Sequence, residues 1–245
     1  MKQGIFKIAE NTSLTDTVLW MRLVGDVSDI TAPGQFINIK LDGLYLRRPI
    51  SVYDRDEDSV TIIYKVVGKG TEQMKQMQVG QTLDVLTGLG NGYDTTVSGS
   101  RPLLLGGGVG VPPLYMLAKN LIAEGKQVSV ILGFNTKQEI FCEEDFQRLG
   151  CDVRVATADG SYGVKGFVTD AMTDINYTYF YTCGPEPMLK AVYRASMTEG
   201  QFSFEERMGC GFGACMGCSC KTITGYKRIC KDGPVMRKEE ILWEN

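Results

Sequence analysis

The sequence predicts an antiparallel β barrel, then an α/β domain with a parallel sheet, then a short cysteine-rich C-terminal segment. Three observations predict this order. Residues 1–98 contain short runs that alternate apolar and polar side chains between turn-forming residues. Residues 99–202 alternate apolar runs with helix-like segments, which is typical of a parallel sheet covered by helices. Residues 203–245 hold five of the eight cysteines.

Six strands are expected in the first region. Breakers such as Pro33-Gly34 and Asp42-Gly43 separate them. Strands of this number and spacing favour a small antiparallel barrel. They are expected at Gly4–Ala9, Thr17–Leu23, Gln35–Leu41, Ile50–Tyr53, Ser59–Val67 and Gln81–Leu86, with one helix at Thr71–Met77.

A glycine-rich polar stretch at 88–101 marks the boundary to the second region. Strands are expected there at Pro102–Leu105, Gln127–Leu132, Asp152–Ala156 and Tyr177–Thr182. Helices are expected at Leu114–Ala123, Glu143–Leu149, Val168–Met172 and Pro187–Met197. In such a sheet, ligands bind at the carboxyl edge of the strands.

Composition limits the function classes. The formal net charge of −3 gives no reason to expect a nucleic-acid partner. The sequence shows neither a secretory signal nor an apolar run of membrane-spanning length, so we expect a cytoplasmic protein without a membrane partner. The chain has no histidine, the usual general base near neutral pH. This argues against hydrolytic chemistry by the chain alone and is no obstacle to electron transfer.

Four cysteines stand in the order C-x4-C-x2-C-x11-C: Cys210, Cys215, Cys218 and Cys230. The first three have the plant-type ferredoxin spacing for a [2Fe-2S] cluster. Cys220 could replace Cys218, although the x2 spacing favours Cys218.

Structural zinc and disulfides are the alternatives for these cysteines. Zinc sites normally pair two short hairpins, and the x4 spacing with one distant cysteine fits that pattern poorly. Disulfides need an oxidising compartment, which nothing in the sequence indicates. The spacing therefore predicts an iron–sulfur cluster.

A glycine-rich turn, Gly106–Pro113, follows the first strand of the second region and leads into a helix. Such a turn can bind phosphate through backbone amides, and Gly107, Gly108 and Gly110 are its candidate binding residues. Its spacing is not that of a dinucleotide fingerprint, so a turn that only packs a helix on the sheet remains an alternative.

Two further motifs are weaker by themselves. Cys183-Gly184-Pro185 follows the last predicted strand at the ligand-binding edge, although an isolated cysteine is often just a small buried residue. Arg48-Pro49-Ile50-Ser51 lies on a barrel strand, where arginine could bind a diphosphate and serine a flavin edge.

Taken together and in this order, the motifs resemble the ferredoxin–NADP reductase superfamily. Arg48–Ser51 resembles its flavin signature, and the two glycine-containing motifs of the second region resemble its pyridine-nucleotide motifs. The resemblance further implies FAD contacts in a second flavin strand and at the start of the diphosphate-binding helix. Those contacts are Lys65, Val66, Val67, Gly70 and Thr71.

With the cysteine tail, the whole chain resembles electron-transfer subunits of NAD-dependent (type B) dihydroorotate dehydrogenases. The resemblance implies FAD, a [2Fe-2S] cluster and NAD. It also implies an FMN-containing catalytic partner subunit in a heterotetramer that serves pyrimidine biosynthesis. Electrons would pass from FMN through the cluster and FAD to NAD⁺. Ile50 departs from the aromatic residue of plant-type reductases, and Trp243 lies beyond the cluster, where a flavin-stacking role is not expected.

The nucleotide and the complex leave alternatives open. Asn135 and Glu139 favour NAD over NADP, because a 2′-phosphate requires cations, whereas Lys137 weakens that preference.

The chain could also belong to an NADH-dependent ferredoxin:NADP oxidoreductase, a sulfhydrogenase or a sulfite reductase. In the first of these an aspartate ligand is expected, which the four cysteines count against. A zinc-stabilised redox-sensing or binding module is an alternative of a different class. In the electron-transfer reading, we expect Phe212 and Met216 to lie near the partner.

Overall fold

The computed structural model describes residues 1–243, which form a closed barrel, a seven-stranded sheet and a two-stranded hairpin. The strands are β1 Lys2–Ser13, β2 Val18–Val24, β3 Phe36–Lys40, β4 Arg48–Arg55, β5 Ser59–Lys65, β6 Thr82–Leu89, β7 Pro102–Gly107, β8 Ser129–Phe134, β9 Asp152–Thr157, β10 Val164–Lys165, β11 Tyr179–Cys183, β12 Gly200–Ser203, β13 Ser219–Thr222, β14 Gly225–Arg228 and β15 Val235–Arg237. The α-helices are α1 Lys69–Lys75, α2 Pro113–Ala123, α3 Glu143–Arg148 and α4 Glu186–Ala195. None of the helices within residues 1–243 has the length and apolar character needed to cross a membrane.

The barrel closes in the order β1-β2-β5-β4-β3-β6, with every pair antiparallel. All six predicted strands and the helix after β5 are confirmed. Alternation sets the two faces of β3: Ile37 and Ile39 are fully buried in the barrel core, so Phe36 and Asn38 lie on its outer face. The outer pair is also buried, because the C-terminal segment covers it.

The large sheet has the order β10-β9-β8-β7-β11-β12-β15. Its strands are parallel except β15, which runs antiparallel to β12 and comes from within residues 203–245. The sequence did not predict β10, β12 or β15, because runs of two to four residues carry no usable periodicity. The last two residues of the predicted third segment, 244 and 245, lie outside the described residues.

The prediction of a helix at Val168–Met172 was wrong in its extent. The structure has only a one-turn 3-10 helix at Asp170–Met172. The Asp170 carboxylate accepts a hydrogen bond from the Phe167 amide at 2.7 Å, which favours a tight turn here. Asp174, with φ of 63°, then stops any continuation.

Strand β4 joins the barrel to the α/β domain. The Tyr53 ring stacks on Tyr115 of α2 with 4.3 Å between centroids, and its hydroxyl donates to Asp145 of α3 at 3.0 Å. Lys119 of α2 pairs with Asp54 at 2.8 Å. The strand that carries Arg48–Ser51 is therefore fixed to the helix that follows the glycine-rich turn.

Candidate functional site

The flavin motif residues gather where β4 begins and β5 ends. The Arg48 guanidinium lies against the first turn of α1, so close that a Cβ added at Gly70 would come within 2.8 Å of its Cζ. Thr71 Oγ1 accepts from the Val67 amide at 2.9 Å, and the Val66 amide donates to the Thr17 carbonyl at 2.8 Å. These bonds order the chain from Lys65 to Thr71 beside Arg48. The structure thus brings the Arg48 cation against the first turn of α1, an arrangement that suits a diphosphate.

The other motif residues of β4 alternate between two faces. Ser51 pairs with Phe36, and Pro49 pairs with Asn38, so they share the outer face of β3. Ile50 packs partly against the barrel core, on the other face. The outer face near Ser51 is therefore the side toward the cysteine segment.

The two nucleotide motifs meet at the carboxyl ends of the adjacent strands β7 and β11. A Cβ at Gly110 would lie 2.5 Å from the Cys183 carbonyl carbon, and one at Gly107 would lie 3.2 Å from Pro185 Cδ. Only glycine allows the Gly108–Gly110 turn to approach Cys183-Gly184 so closely. The same turn packs against β5 of the barrel, which carries Lys65 at its end. Gly107 and Gly110 are thus next to the second motif, and Gly108 lies between them in the turn that packs against β5.

The Cys183 thiol is neutral. Burial raises its pKa to about 12, a hydrogen bond with Ser203 opposes the shift, and the Glu205 charge adds to it. Sequence reasoning missed Ser203 and Glu205 as neighbours of this motif. Ser203 ends the unpredicted strand β12 and Glu205 follows it, and the parallel pairing of β12 with β11 brings Ser203 opposite Cys183.

The four predicted cluster cysteines form two pairs. The Cys210 amide contacts Cys215 Sγ at 3.5 Å, and the Cys230 amide contacts Cys218 Sγ at 3.4 Å. A [2Fe-2S] cluster needs this arrangement, because each of its irons takes two thiolates. Within residues 1–243, no three His, Cys, Asp or Glu side chains converge tightly enough to hold a single metal ion.

Backbone amides point at the sulfurs of the less buried pair, Cys210 and Cys215. Cys210 Sγ accepts from Phe212 at 3.5 Å and Ala214 at 3.2 Å, and Cys215 Sγ accepts from Gly217 at 3.4 Å. Burial alone would raise the pKa of Cys210, but the amides of Phe212, Cys215 and Ala214 outweigh it and lower the pKa to about 6. Amide donors that stabilise thiolate sulfur are what an iron–sulfur cluster requires, so the residues fit that group.

Cys220 lies outside the two pairs and contacts Met236 Sδ at 3.9 Å. It lines a cavity of about 230 Å³ between the Gly184-Pro185 turn and the β13–β14 hairpin. The choice of Cys218 over Cys220 as a cluster ligand stays a prediction.

The cysteine segment packs directly on the barrel. Phe36 belongs to the same buried cluster as Cys218 and Cys230, together with Ile229 and Met236. Arg228 supports the loop: it donates to the Gly213 carbonyl at 2.8 Å and pairs with Asp232 at 2.9 Å. The β13–β14 hairpin and the loop of Cys210–Cys215 are thereby held as one unit on β3.

Comparison with known proteins agrees with this geometry. Residues 205–242 match the family described as the iron-sulfur cluster binding domain of dihydroorotate dehydrogenase B, and residues 104–194 match the oxidoreductase NAD-binding domain. A solved NADH-dependent reduced ferredoxin-NADP oxidoreductase has a TM-score of 0.88 at 31% identity, covering 98% of this chain and 90% of that chain. The flavohemoglobin of Malassezia yamatoensis, at 21% identity, shares the fold with a TM-score of 0.70 over 80% of this chain and 56% of its own.

Two curated relatives extend over nearly the whole length. Both are described as the dihydroorotate dehydrogenase B (NAD(+)) electron transfer subunit. The protein from Bacillus pumilus is 44% identical and covers 98% of each chain; that from Fusobacterium nucleatum is also 44% identical and covers 96% of each. This chain therefore belongs to the family of dihydroorotate dehydrogenase B electron transfer subunits.

Proposed function

We propose that this chain carries electrons between an FMN-containing dihydroorotate dehydrogenase subunit and NAD⁺, in pyrimidine biosynthesis in the cytoplasm. The overall reaction is dihydroorotate plus NAD⁺ giving orotate, NADH and a proton, so two electrons cross the chain per turnover. When bound, FAD exchanges a hydride with the nicotinamide and single electrons with the cluster, which links a two-electron acceptor to a one-electron carrier.

The observation that carries the proposal is the packing of the cluster segment on the flavin side of the barrel. Phe36, which pairs with Ser51 of the flavin motif, packs against Cys218 and Cys230. On the other side, β4 is tied to α2 through Tyr53 and Tyr115. A contiguous arrangement of cluster segment, flavin strand and nucleotide turn supports a short path for electrons.

The chain's own residues bind and orient the cofactors. Arg48, with the amides at Gly70 and Thr71, holds the FAD diphosphate, and Ser51 and Pro49 lie beside the flavin ring. Lys65–Val67 complete the flavin site next to the Gly108–Gly110 turn. Gly107, Gly108 and Gly110, with Cys183-Gly184-Pro185, seat the nicotinamide end of NAD. The neutral Cys183 thiol keeps negative charge away from that position.

The partner docks over the cluster loop. Phe212 and Met216 are exposed beside Cys210 and Cys215, and the acid–base step on dihydroorotate belongs to the partner, since this chain contains no histidine. The complex is a heterotetramer of two copies of each chain. Sedimentation of the co-expressed pair measures this stoichiometry, and a 1:1 dimer would contradict it.

Three measurements test the function. Freshly purified protein should show flavin absorption and a broad visible shoulder, should contain two irons per FAD, and should bleach on addition of NADH. Colourless protein that contains zinc would contradict the proposal and favour the zinc-stabilised module.

The structural similarity to the NADH-dependent ferredoxin-NADP oxidoreductase makes a subunit of that complex the second candidate. Affinity purification from the native cell distinguishes the two. An FMN-containing dehydrogenase that oxidises dihydroorotate supports the first, and a larger flavoprotein partner that reduces ferredoxin supports the second.

A further inference from the structure

We propose that Arg228 is a positioning residue that raises the reduction potential of the iron–sulfur cluster by holding one backbone peptide with its N–H toward the Cys210 sulfur. The proposal rests on the proposed function, because it concerns the cluster that the four cysteines are predicted to bind. It involves a single arginine side chain of β14, the carbonyl of Gly213 and the carboxylate of Asp232.

The Arg228 guanidinium joins the cluster loop, Cys210–Cys215, to the turn that carries Cys230. Its Nη1 donates to the Gly213 carbonyl at 2.8 Å, and its Nε and Nη2 donate to Asp232 at 2.9 and 3.2 Å. The backbone amide of Arg228 donates to the same carboxylate at 2.9 Å. The planar fork of arginine permits contact with both groups at once. The side chain is 24% exposed, so solvent screens its charge only in part.

One peptide unit of the loop contacts both Arg228 and a predicted cluster thiol. The carbonyl of Gly213 accepts from Arg228, and the amide of the same peptide, that of Ala214, donates to Cys210 Sγ at 3.2 Å. The amide of Phe212 also contacts this sulfur but lies farther away, at 3.5 Å. A charged donor on the carbonyl fixes the peptide plane and polarises its N–H, because hydrogen bonds in a chain strengthen one another. Arg228 therefore acts on Cys210 through the Gly213–Ala214 peptide.

Arg228 also lies beside the buried cysteine pair. It pairs with Ser219, the residue after Cys218, in the β13–β14 hairpin, and it stands just before Ile229 and Cys230 in the chain. The hydrogen bond with Asp232 raises the pKa of Arg228, desolvation opposes the shift, and the charges of Asp232, Cys230 and Cys218 add to it. The positive charge is therefore permanent and close to the buried pair.

The charge on the cluster explains the direction of the effect. Reduction adds one electron, and thus one negative charge, to a cluster held by four thiolates. Hydrogen bonds to the sulfurs and nearby positive charge stabilise the reduced form, so both raise the reduction potential. Asp232 opposes this effect, but the guanidinium lies between Gly213 and Asp232, so the positive end of the ion pair faces the loop. Arg228 exchanges no electron itself.

The test compares the holoproteins of wild type, Arg228→Gln and Asp232→Asn in a redox titration followed by visible absorption. We expect Arg228→Gln to make reduction of the cluster about tenfold less favourable, which lowers its potential by about 59 mV for one electron. Asp232→Asn should raise the potential, because it removes a negative charge while Arg228 can still donate to Gly213. An effect that came only from loosening the turn would move both potentials in the same direction, since each variant breaks the same ion pair.

Arg22→Gln is the matched control. Arg22 also pairs with an aspartate, Asp56 at 3.4 Å, and donates from Nε to Ser59 at 3.0 Å. It lies on β2, which is opposite β3 in the barrel order and therefore away from the cysteine segment, so this variant should keep the wild-type potential. Arg228→Lys keeps the charge without the fork and should give a potential between those of wild type and Arg228→Gln.

The outcomes separate this role from the proposed function. Equal potentials in wild type and Arg228→Gln overturn the proposal, and so do shifts of the same sign in Arg228→Gln and Asp232→Asn. If Arg228→Gln assembles no cluster, Asp232→Asn decides by itself, because an unchanged or lower potential there contradicts the effect of charge. Wild-type protein without a cluster would instead contradict the proposed function.

Discussion

The four predicted cluster thiols occupy two different environments. Cys215 is exposed and Cys210 is half-buried, whereas Cys218 and Cys230 are each 2% exposed and pack with Phe36. Burial, with the neighbouring Cys218, raises the pKa of Cys230 to about 12, so a metal bound by Cys230 has to displace the proton of that thiol. A cluster held by these pairs would have one iron toward solvent and one toward the barrel. This orientation of the two irons suits a carrier that receives electrons from a partner on its solvent side and delivers them to the barrel side.

The first prediction concerns the fourth ligand. Cys230→Ser should abolish the cluster and leave FAD bound, because one iron loses a thiolate while the barrel and the nucleotide motifs remain intact. The measurement is iron content with the visible spectrum. Cys220→Ser is the matched control and should retain the cluster, since Cys220 contacts Met236. A normal cluster in Cys230→Ser, or its loss in Cys220→Ser, would show that the ligands are misassigned.

The second prediction concerns nucleotide choice. Glu139 lies just after β8, where its carboxylate accepts from the Asn135 amide nitrogens at 3.3 and 2.9 Å. A negative charge here disfavours the 2′-phosphate of NADP, so Glu139→Gln should raise the NADPH/NADH ratio of kcat/KM about tenfold. Lys137, the residue that weakened the sequence argument, lies over the Tyr162 ring at 5.8 Å.

Glu124→Gln is the control for that ratio. Glu124 follows α2 and precedes β8, so it lies toward the amino ends of the parallel strands, away from the nucleotide motifs. It should leave the ratio of the two nucleotides unchanged. Equal ratios in Glu139→Gln and wild type would remove Glu139 from the determinants of specificity.

At the scale of elements, strand β4 carries both the flavin motif and the residues that contact the second domain. Its first half carries Arg48–Ser51, and its second half carries Tyr53 and Asp54, which contact α2 and α3. Strand register therefore fixes the flavin motif and the domain contact relative to each other. The sequence predicted the strand and the motif. It did not predict the contact, because a tyrosine that stacks on another domain looks locally like any β-forming residue.

The third prediction tests this domain contact. Tyr53→Phe removes the hydroxyl that donates to Asp145 and should lower the free energy of unfolding by about 1 kcal/mol. It should also slow the reduction of FAD by NADH, because the nucleotide turn is attached to the barrel partly through this strand. Urea unfolding and rapid-mixing absorbance measure the two effects.

Tyr64→Phe provides the comparison. The Tyr64 hydroxyl donates to Asn11 at 3.1 Å within the barrel, so its loss should lower stability similarly without changing FAD reduction. If both variants reduce FAD at the wild-type rate, the domain contact has no role in hydride transfer.

Whether an element could be predicted from the sequence depended on its length and on its hydrophobic pattern. The barrel strands alternate over five to twelve residues, and the long parallel strands are apolar, so local sequence sufficed for both. The strands β12 and β15 depend on pairing between distant segments, which no short window contains. For the same reason Ser203, Glu205 and Arg228 escaped prediction: each matters through a neighbour that the fold brings close.

At the scale of the molecule, the cysteine segment is not an independent module. Its strand β15 completes the large sheet, its hairpin packs on the barrel, and Trp243 packs among Tyr193, Phe202 and Phe204. The segment thereby bridges the two preceding domains. Trp243 lies in this aromatic cluster, which is consistent with the expectation that it does not stack on flavin.

The last prediction concerns the face that this arrangement leaves open. Phe212 is 42% exposed and Met216 is 53% exposed, both beside the outward-facing thiol pair. Apolar side chains at the centre of an interface often dominate its binding energy, and a buried unpaired charge is strongly unfavourable there. Phe212→Asp should therefore weaken binding of the catalytic subunit at least tenfold, while NADH still reduces FAD at the wild-type rate. Phe167→Asp is the matched control, since Phe167 is 69% exposed near β10 at the far edge of the sheet and should leave assembly unchanged. Binding is measured by titrating the purified catalytic subunit, and electron transfer by dihydroorotate-dependent reduction of NAD⁺. Wild-type affinity in Phe212→Asp would move the docking surface away from the cluster loop, and with it the path by which electrons enter this chain.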